Sequence, residues 1–234
     1  MMSNTDPAER AARIRRMFGQ IAPRYDLTNR LMTGSFDVRW RREAVHGLHL
    51  PREAHVLDLG CGTGDLTREV LRQSPTTHVV AADFTLPMLQ LGQRRRFPRP
   101  PAWCAADALA LPFSNGTFDA VVCAFLLRNV ADLDQSLREM ARVLKPGGQV
   151  AILETTRPTP HPLRPLRDVL MFKMIPWLGG VLTGQRDAYE YLAHSSATFL
   201  AAPELAQALV AAGFTEVRFT YKMMGTIAIH WAHT

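Results

Sequence analysis

Lysine and cysteine are scarce in this chain of 234 residues, and apolar runs of membrane-spanning length are missing. Lysine supplies only 3 of the 27 basic residues, and the net charge of +6 permits an anionic partner without requiring one. The three cysteines are odd in number and far apart, so neither a disulfide framework nor a zinc site is expected. No H-x-x-x-H pair occurs, and we predict no metal. With no secretory signal expected, a reducing cytoplasm is the predicted location.

Three glycines at alternate positions follow a short apolar run that ends in Asp58. Residues 54–59 predict a strand, residues 60–64 a tight turn and residues 65–73 a helix. In this order they form a nucleotide pocket, because glycine lets backbone approach a ligand and the N–H groups at a helix N-terminus suit a carboxylate or a phosphate. The spacing does not match the dinucleotide fingerprint G-x-G-x-x-G, and the Gly-Lys-Ser/Thr sequence of a P-loop does not occur.

The pattern that does match is D-x-G-x-G-x-G, the loop that binds S-adenosylmethionine in class I methyltransferases. This ligand has a carboxylate, an amino group and a sulfonium but no phosphate. The loop therefore predicts a methyltransferase, with Gly60 and Gly62 among the residues that bind the cofactor. A glycine turn that only packs a helix on a strand is the alternative interpretation.

The rest of the chain alternates predicted strands and helices, as in an α/β fold. Strands are predicted at 78–82, 104–108, 118–125, 149–154, 214–222 and 225–232, and helices at 86–96, 132–144 and 203–212. We therefore expect a seven-stranded, mostly parallel sheet with helices on both faces and a closing antiparallel hairpin.

Two further segments lie outside this alternation. Helices predicted at 7–18 and 36–47 would form an N-terminal helical cap over residues 1–50, which leaves 51–234 as a Rossmann-like methyltransferase domain. Residues 157–198 interrupt that domain with five prolines and an apolar cluster. A lid over an apolar substrate, an in-plane membrane contact and plain packing on the cap are its three interpretations.

Acidic side chains follow two of the predicted strands. Asp83 lies 19 residues after the last glycine of the loop, where an ionised carboxylate can accept hydrogen bonds from both hydroxyls of a ribose. Asp107 follows the third strand and could accept from an adenine amino group, while the N–H of Ala108 donates to the ring. A helix N-cap and an ordinary turn are the respective alternatives for the two aspartates. The fourth strand exits at 126–130, which faces the cofactor methyl in a sheet of this kind.

Several motifs point to one known family. They are Arg24-Tyr25-Asp26-Leu27, Leu57-Asp58-Leu59 with Gly62-Thr63-Gly64-Asp65-Leu66, Leu127-Arg128-Asn129-Val130, Arg142-Val143-Leu144-Lys145-Pro146-Gly147-Gly148 and Tyr189-x-Tyr191-Leu192. On these motifs the chain resembles the ubiquinone/menaquinone biosynthesis C-methyltransferase family over most of its length. The resemblance implies that S-adenosylmethionine is held by Thr63, Asp83, Asp107 and Ala108. The chain departs from the family pattern at Ala124, at 36–38 and at 224–230.

The family transfers a methyl group to a ring carbon of a reduced polyprenyl quinone precursor. The resemblance therefore implies demethylmenaquinol as the acceptor and menaquinol as the product, with the ubiquinone precursor 2-methoxy-6-polyprenyl-benzoquinol as the alternative acceptor. Tyr25 and Asn129 would hydrogen-bond the ring hydroxyls, and Arg128 would stabilise the phenolate or orient a water that takes the proton. A salt bridge that ties the exit loop is the alternative for Arg128, and no residue stands out as the general base.

The expected partners are the polyprenyl quinol and, through its apolar tail, the inner face of the cell membrane. Association into a homo-oligomer is left open. Nucleic acid is not expected, because the fourth strand does not exit through Asn/Asp-Pro-Pro-Tyr/Phe and aromatic residues do not alternate with the arginines. The competing interpretations are an RNA or small-molecule methyltransferase and a cofactor-binding partner subunit, and the intact Thr63, Asp83 and Arg128 disfavour the partner subunit.

Overall fold

One sheet of seven strands runs through the computed structural model, which describes residues 7–158 and 186–234. The strands are β1 (His55–Leu59), β2 (His78–Asp83), β3 (Ala102–Ala105), β4 (Phe118–Ala124), β5 (Leu144–Thr155), β6 (Thr215–Lys222) and β7 (Ile227–His233). Their order is β3-β2-β1-β4-β5-β7-β6, parallel from β3 to β5 and antiparallel at β7. The predicted seven-stranded, mostly parallel sheet with its closing hairpin is confirmed.

Helices lie on both faces of the sheet, because its central strands are apolar on both sides. The described helices are α1 (Pro7–Thr33), α2 (Phe36–His46), α3 (Asp65–Gln73), α4 (Leu86–Gln93), α5 (Leu133–Val143), α6 (Arg186–Thr198) and α7 (Ala202–Ala211). Val121 and Cys123 of β4 belong to the apolar core under α5 and α7, whereas Ala120 and Val122 belong to the core under α2 and α3. Neighbouring strand residues point to opposite faces, so the sheet has two apolar cores.

The first helix is longer than predicted. It continues to Thr33 instead of ending near residue 18, and Pro23 lies inside it. Proline cannot donate a backbone hydrogen bond and disfavours a helix interior. Ile21, Ala22 and Thr28 are nevertheless buried, so tertiary packing outweighs the local preference.

Two strands also differ from the prediction in their bounds. β3 ends at Ala105 rather than near 108, so Asp107 and Ala108 lie on the loop beyond the strand. β5 begins at Leu144 rather than at 149, and the predicted turn at 145–148 is an irregularity in the pairing of β5 with β4.

The predicted insertion at 157–198 is described only in part. Residues 186–198 form α6, while residues 159–185 lie outside the described residues. The two helices of the predicted cap contact the rest of the chain, α1 mainly through α4, and α2 through α3, β5 and β7. The division into a cap and a main domain stays a prediction.

Trp231 of β7 joins α2 to the sheet. Its ring N–H donates to the carbonyl oxygen of Ala44 at 2.9 Å. The ring lies against Gly47 at the end of α2, where an added Cβ would come within 2.2 Å of the indole nitrogen. On the other side, the guanidinium carbon of Arg218 lies 4.5 Å from the centre of the Trp231 ring. The position of α2 on the sheet therefore depends on the absence of a side chain at Gly47.

We expect Gly47→Ala to lower the free energy of unfolding by about 1–3 kcal/mol, because the indole must move away from Ala44 to admit the methyl group. Urea unfolding followed by circular dichroism measures the change. Gly19→Ala in α1 is the matched control, since among the described residues its Cβ would meet Pro87 alone, at 3.5 Å, and alanine favours the helix by up to about 1 kcal/mol. Equal stability of Gly47→Ala and the wild type would show that this joint tolerates a side chain.

Candidate active site in the crevice between β1 and β4

A cavity opens beyond the carboxyl ends of β1, β2 and β4. From β1 the chain adds strands on one side of the sheet, and from β4 it adds them on the other side, so the order reverses between β1 and β4. Ligands of open α/β sheets bind at such a switch point. The cavity and the open space at its mouth together enclose about 1140 Å³. Seven of the predicted site residues line it: Gly60, Gly62, Thr63, Asp83, Asp107, Ala108 and Asn129. The topology thus brings them together, and their binding roles stay predictions.

The glycine loop presents bare backbone to this cavity. Gly60, Gly62 and Gly64 have φ angles of +68°, +57° and +88°, which glycine adopts without strain. A Cβ at Gly60 would come within 2.8 Å of Leu126, whereas a Cβ at Gly62 would meet no atom of the described residues within 4 Å. Gly62 also lines the cavity, so a ligand can lie directly on its backbone. The loop therefore fits the close approach that the cofactor prediction requires.

Four N–H groups of the loop are bonded within the protein. Gly60 and Cys61 both donate to the carbonyl oxygen of Ala82, at 2.8 and 3.0 Å, and Gly64 donates to Cys61 at 2.9 Å. Gly62 donates to the Asp83 carboxylate at 2.8 Å. These four groups therefore stabilise the loop itself, and the expectation that N–H groups at the N-terminus of α3 suit a carboxylate stays a prediction.

Asp83 is suited to a ribose. One carboxylate oxygen accepts from the N–H of Gly62 at 2.8 Å and the other from the N–H of Thr85 at 2.7 Å. A carboxylate oxygen has two acceptor sites, so each can still accept from a ribose hydroxyl. Burial raises the pKa of Asp83, and the two backbone donors oppose that shift. Asp83 does not cap α4 directly, since Thr85 is the residue that precedes the helix.

Asp107 makes the contact of an ordinary turn, and its role toward adenine stays a prediction. Its carboxylate accepts from the N–H of Leu109 at 2.9 Å, which is the ordinary turn contact. It also lines the cavity together with Ala108. The turn thereby holds the carboxylate at the cavity wall, where an adenine amino group could reach it.

Asp58 lies under the glycine loop with its side chain fully buried. The hydroxyl of Thr67 donates to its carboxylate at 2.5 Å. Burial raises the pKa of Asp58 to about 7, against the lowering effect of its bonds to Thr67 and of the nearby Arg41. The buried thiol of Cys61 likewise has a raised pKa, so it is a packed turn residue rather than a reactive nucleophile.

Ion pairs tie α1 to the loop. The hydroxyl of Thr63 donates to Asp26 at 2.8 Å. Arg95 donates to the Thr63 hydroxyl at 2.7 Å and to Asp65 at 2.7 Å, and Arg30 of α1 donates to Asp65 at 2.9 Å. Burial and the proximity of Asp65 raise the pKa of Asp26. Sequence reasoning missed this network, although Asp26 lies in the Tyr-Asp-Leu motif and Asp65 directly follows the last glycine.

The exit of β4 holds the two predicted reaction residues in different environments. Asn129 lines the cavity, donates to the carbonyl oxygen of Phe125 at 3.1 Å and accepts from the hydroxyl of Tyr191 at 3.2 Å. Tyr191 belongs to a motif of the resemblance but was not predicted as a site residue. The Arg128 side chain forms a buried ion pair with Glu154. Arg128 is not among the residues that line the cavity in the described part of the chain.

The salt bridge named as the alternative for Arg128 is therefore present, with Glu154 as its partner. The N–H and the hydroxyl of Thr155 also donate to Glu154, at 2.8 and 3.3 Å, so its carboxylate is well satisfied. The Nε atom of Arg128 is buried without a partner among the described residues. Tyr25 lies in α1, and its side chain is outside the described residues. The catalytic roles of Arg128 and Tyr25 stay predictions.

Three comparisons place the chain among known proteins. It is 43% identical over 216 residues to a demethylmenaquinone methyltransferase of Thermus thermophilus, across 92% of this chain and 98% of that protein. It is 36% identical to a mitochondrial 2-methoxy-6-polyprenyl-1,4-benzoquinol methylase of Caenorhabditis elegans, across 97% of this chain and 82% of that protein. A solved structure of a S-adenosylmethionine-dependent methyltransferase from Thermotoga maritima matches with a TM-score of 0.64 at 18% identity, across 93% of this chain and 98% of that chain, which supports the fold.

A model of the ubiE/COQ5 methyltransferase family matches residues 6–234, which is nearly the whole chain. The match confirms the family that the motifs indicated, and with it the S-adenosylmethionine-dependent methyltransferase predicted from the glycine loop. On its sequence and on the relatives that share it, this chain belongs to the ubiE/COQ5 methyltransferase family.

Proposed function

We propose that this enzyme transfers the methyl group of S-adenosylmethionine to a ring carbon of demethylmenaquinol and so forms menaquinol. The observation that carries the proposal is the single crevice that joins the glycine loop, Asp83 and Asn129, in a chain that belongs to this methyltransferase family. The Thermus thermophilus relative carries the name of this activity. The name of the Caenorhabditis elegans relative supports the ubiquinone precursor as the alternative acceptor.

Different residues would contact different parts of the cofactor. Bound in the crevice, S-adenosylmethionine would supply an electrophilic methyl group on its sulfonium. Gly62 leaves bare backbone for the amino-acid part, Asp83 has acceptor sites for the ribose, and Asp107 and Ala108 lie where the adenine would be read. The protein thereby fixes the position of the methyl group, which supplies much of the rate in a transfer of this kind.

The acceptor site is apolar on one side. Ile14 and Phe18 of α1 line the cavity together with Phe84 and Met88, which suits an aromatic ring with a prenyl tail and limits the entry of water. Asn129 is held by Tyr191 and by the Phe125 carbonyl, and its second amide hydrogen could hydrogen-bond a ring hydroxyl.

Arg128 could assist the loss of the ring proton through a bound water. Its buried Nε has no partner among the described residues, and buried donors of this kind commonly bind an ordered water. Such a water would donate a hydrogen bond to the ring oxygen and so relay the effect of the guanidinium to the negative charge that develops there, while the phenol proton leaves to solvent. Glu154 then acts as the residue that positions Arg128.

We also propose peripheral contact with the cytoplasmic face of an anionic membrane. No helix in residues 7–158 or 186–234 is both long and apolar enough to cross a bilayer. Leu27 and Leu31 of α1 and Phe36 of α2 are 60%, 49% and 56% exposed, and the exposed stripe of α1 continues through Arg16 and Arg13. Exposed apolar residues beside basic ones fit the headgroup region of anionic lipids, and the apolar tail of a prenylated acceptor would partition into the same membrane.

The proposed reaction is tested with the purified chain, labelled S-adenosylmethionine and each of the two quinols in turn. We expect methylated product from demethylmenaquinol, identified by mass spectrometry, and faster turnover than with the ubiquinone precursor. Turnover of the ubiquinone precursor alone would assign the alternative acceptor. Failure to methylate either quinol would refute the proposed function.

The role of Arg128 is tested by restoring the charge balance around it. Arg128→Met alone leaves Glu154 charged and buried, which we expect to cost about 3–5 kcal/mol of stability in urea unfolding. Arg128→Met combined with Glu154→Gln removes that charge and should recover most of the stability. We expect kcat of the double variant to stay about tenfold or more below the wild type, because no cation stabilises the ring oxygen. A stable double variant with near-normal kcat would leave Arg128 a structural role only.

Membrane contact is tested by co-sedimentation with vesicles rich in phosphatidylglycerol. Leu27→Asp together with Leu31→Asp should weaken vesicle binding by about tenfold or more, because two apolar side chains leave the interface and two negative charges enter it. Val210→Asp is the matched control, since Val210 is 60% exposed on α7 and carries no proposed contact. If both variants weakened vesicle binding equally, the surface around Leu27 and Leu31 would not be the membrane contact.

A further inference from the structure

Arg41 of α2 lies in the wall of the cofactor crevice, and the mechanism above gives it no role. Its side chain is only 8% exposed, and its Nη1 atom donates to Asp37 at 2.5 Å. The guanidinium carbon also lies 5.5 Å from the centre of the Phe125 ring. Asp37 and Phe125 thus hold the guanidinium in place. The bond to Asp37 is the one hydrogen bond that the Arg41 side chain makes to the described residues, so its Nε and Nη2 atoms can donate to a ligand.

The charges around the cavity leave the cofactor carboxylate with few places to bind. Five carboxylates line the cavity, from Asp26, Asp58, Asp65, Asp83 and Asp107. They attract the sulfonium and the ammonium of S-adenosylmethionine but repel its carboxylate. Among the described lining residues, Arg41 is the one arginine or lysine. The loop N–H groups of Gly60, Cys61, Gly62 and Gly64 are already bonded within the protein.

Arg41 also lies on the side of the cavity where the amino-acid half of the cofactor belongs. Its charge acts on Asp58, which precedes the glycine loop, and on Asp65, which follows it. The pKa of Asp65 is held below its usual value despite burial, with Arg41 as the foremost lowering influence. Hydrogen bonds also link Arg41 to Asp65 through Asp37 and Arg30, so the guanidinium lies near the end of the loop that follows Gly62, whose bare backbone opens into the cavity.

We propose that Arg41 receives the carboxylate of the methionine moiety of S-adenosylmethionine, with Asp37 as the residue that positions it. A guanidinium fork matches a carboxylate in two parallel hydrogen bonds. The inference rests on the proposed function, since it assumes this cofactor. It adds that α2, a helix of the predicted cap, forms part of the cofactor site and does not merely cover the acceptor.

The test compares two ligands that differ by the carboxylate alone. Isothermal titration calorimetry gives the Kd of the full chain for S-adenosylmethionine and for decarboxylated S-adenosylmethionine, which keeps the amino group. We expect Arg41→Met to raise the Kd for S-adenosylmethionine about 30- to 100-fold, as the loss of a charge-assisted pair does. The Kd for the decarboxylated ligand should change by less than about threefold, since that ligand has no group for Arg41 to bind.

Two controls keep the test clear of folding effects. Arg39→Met removes an exposed arginine from the same helix and should leave both Kd values near those of the wild type. Arg41→Lys keeps the charge but loses the planar fork, and an intermediate rise of about tenfold for S-adenosylmethionine is expected. Asp37 also accepts from Arg30 at 2.5 Å, so it would retain a partner when Arg41 is replaced. If Arg41→Met did not fold, the Lys variant and the wild-type preference for the carboxylated ligand would carry the test.

The outcomes separate this inference from the proposed function. Equal weakening of both ligands by Arg41→Met, or unchanged binding of S-adenosylmethionine, would overturn the role of Arg41 while the cofactor assignment stands. A wild type that binds the decarboxylated ligand as tightly as the full cofactor would overturn it as well. A wild type that binds neither ligand would overturn the proposed function itself.

Discussion

Two hydrogen bonds to one carbonyl oxygen underlie the whole site. The N–H groups of Gly60 and Cys61 both donate to Ala82, which fastens the turn after β1 to the end of β2. The turn needs positive φ angles at Gly60, Gly62 and Gly64, which only glycine adopts readily. The same hydrogen bonds hold Asp83 beside Gly62, so the loop and the Asp83 carboxylate lie next to each other at the cavity. A side chain in this turn would strain its backbone and, at Gly62, fill the space meant for a ligand.

The balance of charge in the cavity follows from this arrangement. Acidic residues at the ends of parallel strands and on α1 gather at one edge, and their excess suits a ligand with two cationic groups. Burial limits the cost of that crowding, because Asp58, with a pKa of about 7, is partly protonated near neutral pH and repels Asp83 less. Arg95 and Arg30 balance Asp26 and Asp65 at the entrance and tie α1 to the loop. The cap helices are therefore joined to the cofactor site by ion pairs as well as by packing.

The local sequence pattern predicted the bounds of a helix or strand well where its capping residues and its apolar spacing agreed. α3 begins and ends where the sequence predicted, since a glycine turn precedes it and its apolar face is regular. α1 was predicted too short because Pro23 is a local signal against a helix, whereas burial of Ile21 and Thr28 is a tertiary one. The acceptors of the Gly60, Cys61 and Gly62 N–H groups lie at the end of a different strand, and no spacing in the sequence reveals them. Glu154 was missed for the same reason, 26 residues from Arg128.

The sequence alone determined the class of chemistry. Glycines at alternate positions after an apolar strand, acids at later strand ends and the Leu-Arg-Asn-Val exit are local patterns, and each depends only on neighbouring residues. The tertiary structure decided which charges face the ligand and which face each other. Arg128 pairs with Glu154 inside the protein, while Arg41 opens into the cavity, although both are arginines near aromatic residues. The physical reason is that the packing of elements far apart in the sequence decides which charged side chains meet. The spacing of residues along the sequence does not reveal how close such elements lie in space.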